Sequence, residues 1–519
     1  MMKKLISLGL ISLLFLGGLM GGTNQVILNV DSAETKISRH IYGHFSEHLG
    51  RCIYDGIWVG EDSDIPNTNG IRNKAVQALK EVNIPNLRWP GGCFADEYHW
   101  KDGIGPKDER EPMINTHWGM VSEDNSFGTH EFLELCDLID AEPVIAGNLG
   151  SGTVKELSDW VEYCNADIKS DMTQLRKKNG KEDPWYVKYW GVGNESWGCG
   201  GNMDPTQYYR KMSRYSTYMR SYPDKPIYKV AVGPGGFNLD WTREFMKNVK
   251  KYGGSHLFDG YSLHYYTITH NWQNKGSATD FNMDEYFTTI KKSLRLEELI
   301  NKNMEIINEH VPEADIDLVV DEWGNWFDVK EGTNPAFLYQ QNSLRDAMTA
   351  SASLNIFNQK SDVVKMANLA QTVNVLQALL LTKDEEVVKT PTYYVFKMYK
   401  EHQGAKLIPA IKDFEKWVHG GKQTQAITSS ASINEDGNIN ITLSNFKPEE
   451  SNQVIYTLKG KEDCEFVDGG IITADKVNSY NKFDQKENVT LEDFSDVDID
   501  DNEVTVNLPP KSVVRVEVK

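Results

Sequence analysis

The sequence predicts an α/β protein: a (β/α)8 TIM barrel with a C-terminal antiparallel β-sandwich domain. From about residue 38 to residue 390, short apolar runs alternate with amphipathic stretches, as in repeated strand–helix units with buried parallel strands. After residue 400 the chain changes to short alternating strands, which is typical of antiparallel sheets. A length of 519 residues suits one barrel and one accessory domain.

Eight candidate strands can be counted in the first part of the chain. Each is an apolar run bounded by turn residues. Eight strand–helix repeats in about 350 residues favour a closed barrel over a doubly wound sheet. The candidate strands are residues 40–48, 84–91, 143–150, 188–195, 228–235, 258–266, 316–323 and 365–372.

Six amphipathic stretches between these strands are predicted to be helices. In one of them Tyr208, Met212 and Tyr215 repeat at helical spacing, and a stripe of this kind usually packs into a core. The predicted helices are residues 71–82, 129–140, 205–221, 240–252, 284–311 and 338–355.

The tail predicts a sandwich of short strands. Asp436-Gly437 is a good hairpin turn between two of them, and the alternating stretch 25–30 could add a strand from the other end of the chain. We expect residues 38–395 to form the barrel domain and residues 23–37 with 396–519 to form the sandwich. The predicted strands are residues 425–433, 439–446, 454–458, 470–474, 503–508 and 513–518.

Residues 1–22 have the pattern of a secretory signal peptide. Lysines at positions 3 and 4 precede an apolar run from Leu5 to Leu19, and glycines follow at positions 21 and 22. The run is shorter than the roughly 20 residues of a membrane-spanning helix, which favours cleavage over a membrane anchor or an ordinary helix. We therefore expect a secreted or periplasmic protein without membrane insertion.

Charge and cysteine content narrow the possible partners. A formal net charge of -20 disfavours nucleic acid and anionic membranes, because binding them normally needs clustered cations. The six cysteines include no CxxC pair, so neither a zinc site nor a disulfide framework is indicated. Neither metal-ligand spacing nor a phosphate-cradling glycine loop is present, and we expect no cofactor.

Two glutamates close strands that should be buried. Glu195 ends candidate strand four, directly after Asn194, and Glu322 lies near the end of strand seven. Burying such carboxylates costs several kcal/mol unless a partner or a function compensates. Strand ends of a barrel share one mouth, where active sites lie. Either glutamate alone could belong to a surface salt bridge, but the pair matches the acid and the carboxylate that glycoside cleavage needs.

Seven short segments follow one another along the chain: GHFSEH at 43–48, RWPGGCF at 88–94, GVGNE at 191–195, SLHYY at 262–266, DEW at 321–323, ANLAQ at 367–371 and NSYNKF at 478–483. Together they resemble the α-L-arabinofuranosidases of glycoside hydrolase family 51, within the clan of retaining (β/α)8 glycosidases. The resemblance implies an exo-acting enzyme that releases terminal arabinofuranose from arabinan, arabinoxylan or arabino-oligosaccharides. It also implies double displacement through a covalent glycosyl-enzyme intermediate, and a possible homo-oligomer.

The same resemblance assigns the reacting groups. Glu195 would be the acid/base and Glu322 the nucleophile, with environments that push their pKa values apart. Asn194 would bond the hydroxyl next to the anomeric carbon. Arg88 would keep Glu322 ionised and Tyr266 would donate a hydrogen bond to it; a purely structural ion pair is the alternative for Arg88.

The remaining expected contacts concern positioning. Glu47 and Gln371 would hold furanose hydroxyls, and His264 would lie near the nucleophile unless it is a satisfied structural group. Trp197 and Trp323 follow the two glutamates and could form an apolar wall against the sugar, although tryptophan more often belongs to a core.

Two points stay open within the family pattern. The loop 196–201 is a variable part, which leaves the leaving-group preference undecided. Cys93 and Cys199 end strands two and four and could meet at the barrel mouth in a disulfide.

Two other functions compete with this one. A retaining endo-β-glycanase or a β-xylosidase could use the same scaffold and carboxylate pair; the matches at Glu47, Asn194 and Gln371 favour the arabinofuranosidase. A carbohydrate-binding protein without catalysis is the second alternative, against which the presence of both carboxylates argues.

Overall fold

A closed barrel of eight parallel strands forms the centre of the computed structural model, which describes residues 24–222 and 224–519. Each strand pairs in parallel with the next along the chain, and β8 pairs with β1 to close the ring. This arrangement confirms the predicted (β/α)8 barrel. The predicted signal peptide lies outside the described residues. In chain order, strands β1 to β8 are Gly43–Phe45, Asn86–Trp89, Glu142–Gly147, Tyr189–Val192, Tyr228–Ala231, Gly260–Thr267, Asp317–Asn325 and Val364–Ala370.

The helices pack around the barrel and against the second domain. Among residues 24–222 and 224–519, no helix is both long and apolar enough to cross a membrane. The α-helices of the described chain are Asn73–Glu81, Thr129–Ile139, Val154–Asn165, Asp171–Lys178, Pro205–Tyr218, Leu239–Tyr252, Met283–Ser293, Leu296–His310, Leu344–Gln359 and Pro391–Tyr399.

The structure corrects several predicted boundaries. The predicted helix 284–311 is two helices, Met283–Ser293 and Leu296–His310, which are separated by a turn at residues 294–295. The predicted helix 338–355 begins at Leu344 because Leu338 has a left-handed φ of 49° and Ser343 with Asp346 forms the capping box. Candidate strand 40–48 starts as a 3-10 turn.

The C-terminal domain is a sandwich of two sheets. The hydroxyls of Ser429 and Tyr456 join the sheets at 2.7 Å. Its hairpin turns at Asp436-Gly437, as predicted. One pairing is parallel, where Asn24–Asn29 runs beside Asn452–Lys459. The first sheet contains Ala410–Asp413, Asn24–Asn29, Asn452–Lys459, Glu503–Leu508 and Val497–Asp500, and the second contains Lys406–Leu407, Ile427–Ile433, Ile439–Asn445, Ser512–Val518, Phe466–Ile472 and Leu491–Asp493.

Helix Leu344–Gln359 joins the two domains through a buried polar network. The Asn355 carbonyl oxygen accepts hydrogen bonds from Ser430 at 2.8 Å and Thr442 at 3.0 Å. Its amide group donates to the Thr428 hydroxyl at 3.1 Å. Since buried polar groups lose free energy when a partner is removed, this side chain couples the barrel to the sandwich.

We expect Asn355→Ala to lower the free energy of unfolding by about 2–4 kcal/mol, because it leaves several buried hydroxyls without their shared acceptor. Thermal unfolding should show a melting temperature several degrees below that of the wild type. Asn301→Ala, at an exposed helical position, is the control. Equal melting temperatures for the two variants would contradict the role of Asn355.

Candidate active site

Two glutamates flank one imidazole at the carboxyl-terminal rim of the barrel. Glu322 lies on β7 and pairs in register with His264 on β6, while Glu195 comes shortly after β4. The His264 Nδ1 atom is 3.0 Å from Glu195 Oε1 and 3.5 Å from Glu322 Oε2. A carboxylate oxygen of Glu195 lies within 4.8 Å of one of Glu322. The structure therefore brings the two strand-end glutamates to one place.

Arg88 connects three strands of the rim through its guanidinium. The buried side chain extends from β2 and donates to Glu322 Oε1 at 2.9 Å and to Asn194 Oδ1 at 2.7 Å. Its Nε atom lies 3.4 Å from Asp321 Oδ1. Because Asn194 directly precedes Glu195, one cation helps to orient both glutamates.

The contacts at the rim set the charge of Glu322 and His264. Burial alone would raise the pKa of Glu322, but the charges of His264 and Arg88 lower it below its usual range. A hydrogen bond of 2.7 Å from the Tyr266 hydroxyl contributes in the same direction. Burial would lower the pKa of His264, but the charge of Glu322 and contact with Glu195 raise it. These shifts favour a carboxylate at Glu322 beside a protonated imidazole.

Glu47 follows β1 and sits in a ring of hydrogen-bond donors. Its Oε1 atom accepts from the backbone N–H groups of Gly92 at 2.9 Å and Phe94 at 3.1 Å. The indole of Trp118 donates to the same oxygen at 2.9 Å, and the Gln371 amide donates to Oε2 at 3.1 Å. Burial, reinforced by a neighbouring carboxylate, nevertheless raises the pKa of Glu47 to about 7.

Two glycines after β2 allow the backbone to approach these carboxylates. A Cβ atom on Gly92 would lie 2.8 Å from Glu322 Oε1, and one on Gly91 would lie 2.8 Å from Glu47 Cγ. Both distances are shorter than real Cβ contacts allow. The Gly-Gly pair is therefore a steric requirement of the site.

Gln371 holds a free acceptor at the end of β8. Its Oε1 atom is buried and has no hydrogen-bond partner among the described residues. An unpaired buried polar group costs about 1–3 kcal/mol, and such groups call for a ligand or water. Its amide nitrogen already bonds Glu47, so the free oxygen is available to a hydroxyl donor.

The two tryptophans expected to contact a sugar have different surroundings. Trp323 is buried and packs on Phe396, with ring centroids 6.2 Å apart. Successive side chains on a strand point to opposite faces, so Trp323 faces the helices while Glu322 faces the rim, and the prediction for Trp323 is wrong. Trp197 is half-buried and donates to the Gly233 carbonyl at 3.1 Å, a contact with the loop after β5.

Other tryptophans, missed by the sequence analysis, lie at the rim instead. Trp118 bonds Glu47, as described above, and Trp326 packs edge-on against Tyr266 with ring centroids 5.0 Å apart. Trp326 is still close to Glu322 in sequence. Trp118 comes from a long loop after β2, where no pattern could have indicated it.

The sequence patterns also did not indicate Asp96, whose carboxyl group accepts hydrogen bonds from the backbone of two neighbouring segments. Its Oδ2 atom accepts from the backbone N–H of Asn194 at 3.0 Å, and Oδ1 accepts from those of Leu149 and Gly150, each at 2.7 Å. Burial raises the pKa of this carboxyl to about 7. Asp96 thereby joins the end of β4 to the loop after β3.

A disulfide joins Cys93 and Cys199 at the rim, as the positions of the two residues at strand ends suggested. The remaining cysteines are free and buried: Cys52, Cys136, Cys164 and Cys464.

The ligand atoms of Glu195, His264 and Glu322 all lie within 4.8 Å of one another and could also surround a cation. The Arg88 guanidinium already supplies positive charge to this cluster. Glycoside cleavage by paired carboxylates needs no metal ion.

Paired carboxylates at the carboxyl-terminal rim of a (β/α)8 barrel define the protein as a glycoside hydrolase. Comparison with known sequences makes this class specific. The family described as "Alpha-L-arabinofuranosidase 1 domain" matches residues 78–267, and the "Alpha-L-arabinofuranosidase C-terminal domain" matches residues 321–512. The chain belongs to the α-L-arabinofuranosidases of glycoside hydrolase family 51.

Individual relatives agree with this assignment over nearly the whole chain. An "Intracellular exo-alpha-L-arabinofuranosidase" of Bacteroides ovatus is 48% identical over 495 residues, which cover 95% of each chain. The crystal structure of the GH51 arabinofuranosidase from Xanthomonas axonopodis pv. citri has a TM-score of 0.93 at 42% identity and covers 96% of this chain and 100% of its own. The arabinose complex of the Thermotoga maritima α-L-arabinofuranosidase has a TM-score of 0.83 at 30% identity, covering 95% and 99%.

The comparison corrects one prediction. The Bacteroides ovatus relative is named an intracellular enzyme, which contradicts the expectation of a secreted or periplasmic protein and leaves the signal peptide unsupported. A short charged and apolar N-terminal pattern is therefore insufficient evidence for export here.

Glu47→Gln should change how stability depends on pH. The folded state holds the Glu47 proton up to a pKa of about 7, whereas an unfolded glutamate loses its proton near pH 4.3. Wild-type stability should thus fall between about pH 4.3 and 7, by about 4 kcal/mol from this group. Glutamine does not titrate and does not lose stability in this way. We therefore expect the melting temperature of the variant minus that of the wild type to increase as the pH is raised from about 4.3 to 7.

Glu435→Gln, at an exposed position in the sandwich hairpin, is the matched control and should give a difference that does not depend on pH. A pH-independent difference for Glu47→Gln as well would contradict the raised pKa.

Proposed function

We propose that the enzyme hydrolyses terminal α-L-arabinofuranosides with retention of configuration, with Glu322 as nucleophile and Glu195 as acid/base. The observation that carries the proposal is the separation of the two carboxylates, which have oxygens within 4.8 Å of one another. Retaining enzymes place these groups about 5–5.5 Å apart, whereas inverting enzymes leave about 6.5–9.5 Å for a water molecule.

In the first step Glu322 attacks the anomeric carbon while Glu195 transfers its proton to the departing oxygen. The bond to the leaving group breaks with its electron pair, and an arabinosyl ester forms on Glu322. In the second step Glu195 takes a proton from water, whose oxygen attacks the same carbon. The ester bond to Glu322 breaks with its electron pair, which regenerates the carboxylate and releases arabinose. The lowered pKa of Glu322 supports its role, since a nucleophile must be ionised before the substrate binds.

The surrounding residues supply positioning in this proposal. Arg88 and Tyr266 hold the two oxygens of Glu322 in fixed directions, at 2.9 and 2.7 Å. Asn194, oriented by Arg88, would bond the hydroxyl beside the anomeric carbon, a contact that strengthens as charge develops. The unpaired Oε1 of Gln371 would accept a furanose hydroxyl.

His264 lies between the carboxylates and is suited to stabilise negative charge on Glu322 before attack. Glu47 would accept a second furanose hydroxyl. Trp118 and Trp326 replace Trp323 as the expected apolar walls, while Trp197 could contact the leaving group from the loop side.

For the natural substrate we propose terminal arabinofuranose on arabinan, arabinoxylan or arabino-oligosaccharides. Support comes from family membership and from the relative whose name specifies an exo-acting enzyme. We also propose the division into a catalytic domain, residues 38–395, and a sandwich domain of residues 23–37 and 396–519. Assembly into a homo-oligomer stays a prediction from the family.

Product NMR with aryl α-L-arabinofuranoside tests the proposal directly. We expect the first-formed arabinose to have the α configuration of the substrate, and aryl xyloside to be cleaved far more slowly. Initial release of the β-anomer, or faster cleavage of the xyloside, would contradict the proposal.

Glu322→Ala should lower kcat/KM by several orders of magnitude, because the covalent route loses its nucleophile. The melting temperature should fall, because Arg88 and His264 lose a buried carboxylate partner, so activity is measured well below the melting temperature of the variant. Glu305→Ala, on an exposed helical surface, should retain full activity. Substantial residual turnover by purified Glu322→Ala would exclude this residue as nucleophile.

A further inference from the structure

The Cys93–Cys199 disulfide connects two segments of the active site. Cys93 begins the turn after β2, between Gly92 and Phe94, whose backbone N–H groups bind Glu47. Cys199 lies in the loop after Glu195. One covalent bond therefore joins the segment that holds the sugar-binding carboxylate to the segment that carries the proposed acid/base.

The loop that contains Cys199 folds back onto Glu195. The N–H groups of Gly198 and Gly200 donate to the Glu195 carbonyl at 2.7 and 3.1 Å. A Cβ atom on Gly200 would lie 1.8 Å from the Asn194 carbonyl oxygen, so this loop packs directly on the residue before Glu195. Movement of Cys199 would thus move the backbone that carries both residues.

The side chain of Glu195 also touches the disulfide. The Cys199 Sγ atom lies 3.6 Å from Glu195 Oε2, while Oε1 lies 3.0 Å from His264 Nδ1. The carboxyl group is therefore held between an imidazole and a sulfur atom. Glu195 has a φ of 35°, a left-handed conformation that surrounding structure must stabilise in a non-glycine residue.

We propose that the Cys93–Cys199 disulfide positions Glu195 for proton transfer, so that reduction of the bond slows the departure of poor leaving groups more than the attack of Glu322. The proposal rests on the acid/base role of Glu195 proposed above. Glu322 is held directly by hydrogen bonds from Arg88 and Tyr266. Arg88 reaches the disulfide loop only through Asn194, whose amide nitrogen lies 3.9 Å from Cys199 Sγ, so reduction acts on Glu195 directly and on Glu322 indirectly.

Reduction changes the chemistry of the contact as well as its rigidity. A dithiol gives up two electrons and two protons and becomes a disulfide itself; the Cys93–Cys199 bond breaks and two thiols form. A disulfide sulfur cannot donate a hydrogen bond, whereas a thiol can. A thiol next to Glu195 Oε2 would stabilise the carboxylate form and oppose proton donation to the leaving group.

The disulfide is open to a reductant at the rim, and it joins the two cysteines that are not free. Cys93 and Cys199 are half-buried at the rim, whereas the four free cysteines are buried. Glutathione and thioredoxin keep thiols reduced inside cells, so enzyme activity toward poor leaving groups would depend on the compartment.

The test compares two substrates before and after treatment with dithiothreitol. A dinitrophenyl arabinofuranoside leaves with little proton assistance, whereas an arabinosyl disaccharide needs it. Since kcat/KM reports the steps through first bond cleavage, we expect reduction to lower it about tenfold or more for the disaccharide and within about twofold for the dinitrophenyl substrate. Thiol titration before and after treatment confirms that the bond has been cleaved.

Cys93→Ala/Cys199→Ala provides the second measurement and should favour the dinitrophenyl substrate as reduced wild type does, without further change in dithiothreitol. Cys136→Ala, which removes a free buried cysteine, is the matched control and should behave as wild type. Equal losses for both substrates, or no loss, in reduced wild type and in the double variant would overturn the proposal.

Glu195→Ala separates this outcome from failure of the proposed function. If Glu195 is the acid/base, that variant must lose kcat/KM steeply for the disaccharide and slightly for the dinitrophenyl substrate, whatever the disulfide does. If only the cysteine experiments fail to lower kcat/KM more for the disaccharide than for the dinitrophenyl substrate, the disulfide proposal alone is rejected. If Glu195→Ala also lowers kcat/KM equally for the two substrates, the assignment of Glu195 is rejected.

Discussion

The rim of the barrel gathers several carboxylates around one buried guanidinium, and the rest of the site depends on this balance of charge. Arg88 contacts Glu322, Asp321 and Asn194 within 3.4 Å. Removing one partner of a buried ion pair leaves an uncompensated charge, which costs about 3–5 kcal/mol. Strands β2, β4 and β7 are therefore held in one relative arrangement by the same cation that keeps Glu322 ionised.

The chain makes room for these charges with small residues and backbone donors. Gly91 and Gly92 let the turn after β2 approach Glu47 and Glu322 more closely than any other residue could. Asp96 holds the end of β4 by accepting backbone hydrogen bonds. Main-chain atoms thus orient Asp96 and part of Glu47, whereas side chains orient Glu322.

Sequence patterns could predict the site residues that lie at the ends of barrel strands. Glu195 and Glu322 close apolar runs, and parallel strands of a barrel must deliver such residues to one rim. Contacts that depend on the direction of a side chain, or on a residue in a loop, could not be predicted in the same way. Trp323 was misassigned because adjacent strand positions face opposite sides, whereas Trp118 reaches the site from a loop without periodicity. The prediction of a secreted or periplasmic location was wrong for a different reason, since a short apolar N-terminal run has little specificity by itself.

In the proposed mechanism Glu322 forms a covalent bond to the sugar, while Glu195 protonates the leaving group and then takes a proton from the attacking water. Incubating Glu195→Ala with a dinitrophenyl arabinofuranoside should accumulate the intermediate, because its formation needs little acid and its hydrolysis lacks the base. Peptide mass spectrometry after rapid acid quenching should then find an arabinosyl group on Glu322. Labelling of a different residue, or no labelled peptide after a measured burst of dinitrophenol, would contradict the account.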